Sequence, residues 1–245
     1  AGTKGNKAGA KGSGNGNSKG GGAPGNEDAT NNLNLEVAID VARWEANSRV
    51  HLLRFKSAAA QRDAMARPSI FLEDIALYGT VVDHIPSGQR GGVANYSGHN
   101  MRAEDLARFI NCLRTEKPAG SRETQAEAAL VSALITSGVL RTEKGGAIVA
   151  APNKPVVAAV AGSSNAREVR DALLHEAMHM IFYTNDVFAE MCYVFWDDHA
   201  TVEERAAWVD FLRDLQYNVE DRELVVNELQ AYMVTERQLF GDGGG

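Results

Sequence analysis

Cysteine is scarce in this chain of 245 residues: only Cys112 and Cys192 are present. Two cysteines exclude a disulfide framework and a Cys-rich zinc site, and two buried thiols are a plainer reading than a single bridge. Long apolar runs are missing too. No segment approaches the 18 or more residues of a membrane span, and no signal-peptide pattern is visible. The first 25 residues, AGTKGNKAGAKGSGNGNSKGGGAPG, hold no aromatic and no aliphatic side chain larger than alanine. Such a segment cannot bury enough surface to offset the entropy of ordering it, so residues 1–32 are read as a flexible, mildly basic tether. Its low complexity and its opening Ala leave a trimmed precursor open. A tether of this kind suits an exported protein past its processing site, and nothing else in the sequence speaks to compartment or oligomeric state. Basic residues are sparse in the last quarter: residues 1–32 carry +2, 33–183 carry +1 and 184–245 carry −10. That balance argues against nucleic acid or an anionic membrane as partner.

What is present suits a mostly helical α+β fold: a helical N-terminal part over 33–120, then a second part over 121–245. The spacing of Leu35, Val37, Ala38, Val41 and Trp44, continued by Val50, Leu52 and Leu53, predicts a long helix over 33–66 that Pro68 ends. A short segment, Ser69 to Leu77, follows. GTVVDHIPSGQRGGVANYSGHN reads as loop with at most a short strand. Residues 103–115 and 122–138 have helical period. Ala147 to Ala151 and Val156 to Ala161 flank Pro152-Asn153-Lys154-Pro155, which predicts a β-hairpin. Helices are expected near 186–196, 202–215 and 222–238, the second opened by a capping box of Thr201 with Glu204. Helix, helix, hairpin also describes a winged helix. The would-be recognition helix, RETQAEAALVSALITSG, has one arginine against two glutamates, the wrong balance for reading a groove.

The stretch LLHEAMHMIFY, Leu173 to Tyr183, sets two histidines and a glutamate in an otherwise apolar helix. Ser163, Ser164 and Asn165 are its candidate N-caps, and Glu168 sits in the first turn. Ala166, Val169, Ala172, Leu173, Ala177 and Met180 recur at three- and four-residue steps. Burying polar groups there costs several kcal/mol unless each finds a partner. A zinc ion is one such partner: His175 and His179, at i and i+4, project from one face with Cβ atoms about 6 Å apart. Both imidazoles then reach one metal at roughly 2.0–2.1 Å. Glu176 lies beside that face, free to act as general base on metal-activated water. Two core histidines hydrogen-bonded to backbone or carboxylates are the alternative.

Catalytic zinc takes three protein ligands, and the segment LVVNELQAYM, Leu224 to Met233, offers the third. Asn227-Glu228-Leu229-Gln230-Ala231 resembles the NExxA pattern of gluzincin metallopeptidases, such as the thermolysin-like enzymes and the large zinc aminopeptidases. The metzincin extension would need glycine at position 182 and histidine at 185; the chain has Phe182 and Asn185. With HExxH, the pattern makes the chain look like a gluzincin-type zinc metallopeptidase over about residues 146–238. The resemblance implies a zincin-like catalytic domain with a small hairpin or sheet before the HExxH helix. It also implies Zn²⁺ held by His175, His179 and Glu228, Glu176 as base, and a protein or peptide substrate. Two departures stand out. Tyr232 occupies the position where thermolysin-like enzymes place an orienting aspartate, and no histidine follows His199 to assist the oxyanion.

The expected reaction is zinc-dependent hydrolysis of peptide bonds. Tyr232, at i+4 from Glu228, is the first candidate for a further oxyanion donor and Tyr183 the second; a plain core or rim tyrosine accounts for either. In zincins an edge strand before the HExxH helix pairs with extended substrate, and Val156 to Ala161 is either that strand or an ordinary buried one. Asn227 hydrogen-bonds near the site or only caps local backbone. His51, His84, His99 and His199 are read as surface or core residues. Two other classes stay open: a zinc-binding zincin-fold module used for binding or scaffolding without turnover, and a helical structural domain with an accidental HExxH.

Overall fold

The computed structural model describes residues 38–85, 97–115, 122–162 and 165–235. It is an α+β fold dominated by helix, with a four-stranded mixed sheet and a separate two-stranded sheet. Strands β1 (Ile39–Arg43) and β2 (Val50–Phe55) form an antiparallel hairpin. A long helix was expected across both, and the structure corrects this. The three- and four-residue steps run through a turn, where Asn47 accepts a hydrogen bond from the Arg49 amide and Trp44 and Val50 close the ladder. Leu35 and Val37, the first residues of that stripe, lie outside the described residues.

Helix α1 (Ala58–Glu73) follows, capped by Ser57, and Pro68 lies inside it rather than ending it. Proline inside a helix costs about 3 kcal/mol. The surrounding turns are buried from Ala64 to Phe71, so packing outweighs the lost hydrogen bond. The separate segment expected from Ser69 is therefore the last turn of α1 and the turn after it, where Asp74 accepts from the amides of Ala76 and Leu77.

Next come β3 (Gly98–Arg102), α2 (Ala103–Thr115) and α3 (Gln125–Thr136), α3 opened by a capping box of Thr124 and Glu127. The predicted hairpin is displaced by one strand. β4 (Leu140–Thr142) pairs with β5 (Ile148–Ala150) around Gly145 and Gly146, both at positive φ, the conformation a tight hairpin turn favours. β6 (Val156–Ala161) leaves that hairpin for the main sheet, parallel to β2 and antiparallel to β3, in the order β1-β2-β6-β3. It is therefore central and cannot be the substrate-pairing edge. Its run of five buried residues fits a strand covered on both faces better than a hairpin arm with one face in water. The expected helical N-terminal part supplies three of the sheet's four strands, and the sheet takes strands from both sides of residue 120.

Four helices and one π-helical turn complete the described residues: α4 (Ala166–Thr184), α5 (Asp186–Val194), the turn Phe195–His199, α6 (Val202–Asp214) and α7 (Arg222–Thr235). The Thr201–Glu204 capping box forms as expected. On β3, His99 meets Ser69 of α1 while Asn100 meets Glu176 of α4. Successive strand residues face opposite ways, so α1 and α4 cover opposite faces of the sheet. One apolar cluster, with Leu53, Met65, Phe109 and Leu134, fills the space between sheet and α1–α3. A second, around Phe182, Trp196, Leu212 and Val226, joins α4 to α7. Cys112 and Cys192 form no disulfide with each other and are only partly buried. Among the described residues no helix is long and apolar enough to cross a membrane.

Candidate metal centre

Asn165 caps α4 by accepting from the Arg167 amide, and Glu168 occupies the first turn. The helix then crosses β3 and β6 and brings His175 and His179 onto one face, ring centroids 4.8 Å apart. Helix α7 packs against α4. It is opened by Asp221, which accepts from the amides of Glu223 and Leu224, and is buried from Val225 to Ala231. That packing delivers Glu228. One ligand atom from each of His175, His179 and Glu228 falls within 4.8 Å of the others. Glu228 Oε2 is 3.7 Å from His175 Nε2, and Glu228 Oε1 is 3.8 Å from His179 Nε2.

These separations are too long for hydrogen bonds. They approach the roughly 3.4 Å between donors that share one tetrahedral zinc at bonds of about 2.1 Å. His179 is 1% exposed, and neither of its ring nitrogens has a hydrogen-bond partner. Leaving such a group unsatisfied is costly, and a cation removes the cost. His175 has its tautomer fixed. The Thr235 hydroxyl spends its proton on the Ala231 carbonyl at 2.7 Å, so at 3.1 Å it must accept from His175 Nδ1–H. That leaves the Nε2 lone pair on the side of Glu228.

Electrostatics agree with the donor set. Burial lowers His179 to about 4, against the pull of Glu228, so the imidazole is neutral and able to ligate. Burial alone would raise the Glu228 carboxyl, but His179, His175 and the Tyr217 hydroxyl outweigh it and hold it below the usual carboxylate range. Glu176, 4% exposed, is raised to about 7 by burial, with His175 and Asn100 pulling the other way.

Comparison with protein-family models, with curated proteins and with solved structures finds no match.

The site must therefore be judged on its own geometry. His175, Glu176, His179, Glu228 and Tyr232 all line one cavity of about 350 Å³. The Tyr232 ring stands edge-on to His175 at 4.8 Å and also packs on Phe211 and Trp208. Tyr183 is placed elsewhere: it lines the adjoining cavity, with the Arg102 guanidinium 4.4 Å over its ring. Asn227 is buried, accepts from Gln230 and lies beside His179, so it belongs to the site's surroundings rather than to a helix cap.

Several residues in or beside the cavity are not marked as functional by the sequence. Asn100 Nδ2 donates to Glu176 Oε2 at 3.1 Å, Tyr217 reaches Glu228, and Glu73 and His99 complete the wall. Thr235 alone left a local signal, since it lies seven residues after Glu228, two turns along the same helix face. The others arrive from distant segments, and nothing in their own neighbourhoods marks them.

Proposed function

We propose that the chain is a zinc-dependent peptide-bond hydrolase of gluzincin type, with His175, His179 and Glu228 as ligands and Glu176 as general base. The observation that carries this reading is the convergence of three donors from two helices, with a buried carboxylate beside them. A zinc ion held there would lower the pKa of water toward neutrality and polarise a carbonyl. Glu176, buried beside the ligands, takes the proton of the attacking water and returns it to the leaving amine. Thr235 and Tyr217 orient His175 and Glu228 respectively. Tyr232, on the cavity wall, is the candidate hydrogen-bond donor to the carbonyl oxygen as charge develops on it.

The segment that presents an edge is β3, not β6. No described strand pairs with its outer side, and it lines the cavity from Ser97 to Asn100, which suits pairing with an extended peptide. The second reading is a zinc-binding module without turnover. A peptide-library digest by the zinc-loaded chain separates the two. Cleavage by the parent and none by Glu176→Gln with zinc retained is the expected result. Undiminished cleavage by Glu176→Gln would remove it from the role of base.

A further inference from the structure

Gly98 has no backbone reason to be glycine, since its φ is not among the positive values in this fold. What requires glycine is Glu176. A Cβ on Gly98 would stand 2.2 Å from Glu176 Oε1 and 2.7 Å from its Cδ and Cγ. Gly162 makes an instructive contrast, because a Cβ there would meet the backbone carbonyls of Phe55 and Lys56 at 3.1 Å. The space beside Gly162 is bounded by main chain, whereas the space beside Gly98 is filled by one carboxylate. Two residues along the same face of β3, Asn100 donates to the other oxygen, Glu176 Oε2, at 3.1 Å. A glutamate side chain has three rotatable bonds, and here both of its oxygens are constrained by a single strand.

We propose that Gly98 and Asn100 are positioning residues that clamp Glu176 against the metal site. The inference rests on the reading of Glu176 as base. Gly98 admits the carboxylate by lacking a side chain, and the Asn100 amide tethers it without competing for the metal, because only its Nδ2–H faces the carboxylate. Among the described residues no strand pairs with the outer edge of the strand that holds Glu176. A peptide paired along β3 would therefore be registered to Glu176 by the same main chain, which fixes the attacking geometry to within the tolerance proton transfer needs.

The obstacle a Cβ meets at position 98 is the far end of a flexible side chain, so Gly98→Ala should displace the base without unfolding the protein. In the zinc-loaded full chain, Gly98→Ala should keep zinc affinity and melting temperature near the parent's. It should lower kcat about 10²-fold or more, with KM nearly unchanged. Added to Glu176→Gln it should have no further effect, because the group it moves is gone. A second measurement needs no turnover. Acetohydroxamate binds metal and offers a hydroxyl that a neighbouring carboxylate accepts, so Gly98→Ala and Glu176→Gln should weaken its binding equally. Asn100→Ala should weaken it less and serves if Gly98→Ala fails to fold. Parental acetohydroxamate affinity in both Gly98→Ala and Asn100→Ala would overturn the clamp. A zinc-loaded parent that cuts no peptide would sink the hydrolase reading while the acetohydroxamate result still decided the clamp. A chain that takes up no zinc would overturn both.

Discussion

Two groups of ionisable residues are buried in this fold, and they are built differently. Between α1 and α3, Arg67 Nη1 meets Glu127 Oε2 at 3.1 Å and the Arg122 carbonyl at 3.2 Å, and the same Glu127 oxygen accepts from the Thr124 amide at 2.8 Å. Between α4 and α7, His179 and Glu228 are buried as deeply and His175 is half-buried, and Glu228 stands 3.7 to 3.8 Å from the two imidazoles. In the first group Arg67 and Glu127 meet at hydrogen-bond distance, although Glu127 Oε1 is left without a partner; in the second the longer spacing is compatible with a cation between the members. Burial is common to both groups, and the distance between the charged atoms is what differs.

The contrast predicts different responses to substitution. Arg67→Ala leaves Glu127 buried without its partner and should cost about 3–5 kcal/mol of unfolding free energy, with or without zinc. His179→Ala should cost less than that in the presence of chelator. Its effect should appear as the loss of stabilisation by zinc, which for an intact site at a thousand times its Kd is about 4 kcal/mol. Urea unfolding of both variants with zinc and with chelator checks this. Equal zinc stabilisation of the parent and His179→Ala would erase the distinction between the two groups.

A smaller effect comes from pH. In the metal-free chain Glu176 titrates near 7 when folded, against an ordinary 4.5, because burial disfavours its charge. The folded chain therefore holds a proton that the unfolded chain has released, and stability falls as pH rises through that window. His179 runs the other way: its folded value of about 4 lies below its ordinary 6.5, so it adds stability as pH rises between them. The two offset each other in the parent. Glu176→Gln removes the falling component, so the variant should gain on the parent by up to about 3 kcal/mol between pH 4.5 and 7.5 in chelator. Parallel stability curves for the two proteins would contradict the shift.

Legibility in the sequence followed the range of the interactions. Helix α4 and its histidines were readable because both the helical period and the i, i+4 spacing are local. Glu228 was readable as a lone carboxylate in the apolar run of α7. The first strands were misread because Val41, Trp44 and Val50 keep helical spacing across a turn that a single asparagine closes. The hairpin was displaced because Pro152–Pro155 drew attention from the Gly145-Gly146 turn. The contacts behind the proposed clamp have no sequence signal: Gly98 and Asn100 sit 78 and 76 residues before Glu176, within a segment whose composition reads as loop. Sheet pairing alone brings them to the base.

The central claim is that Glu228 completes a metal site with the two histidines. Zinc affinity should therefore be measured for the parent, Glu228→Ala and, as a control on the same helix, Glu223→Ala, whose carboxylate is paired with Arg102. The account predicts one tightly bound zinc per parent chain, a loss of affinity by orders of magnitude in Glu228→Ala, and near-parental affinity in Glu223→Ala. Parental zinc affinity in Glu228→Ala would contradict it.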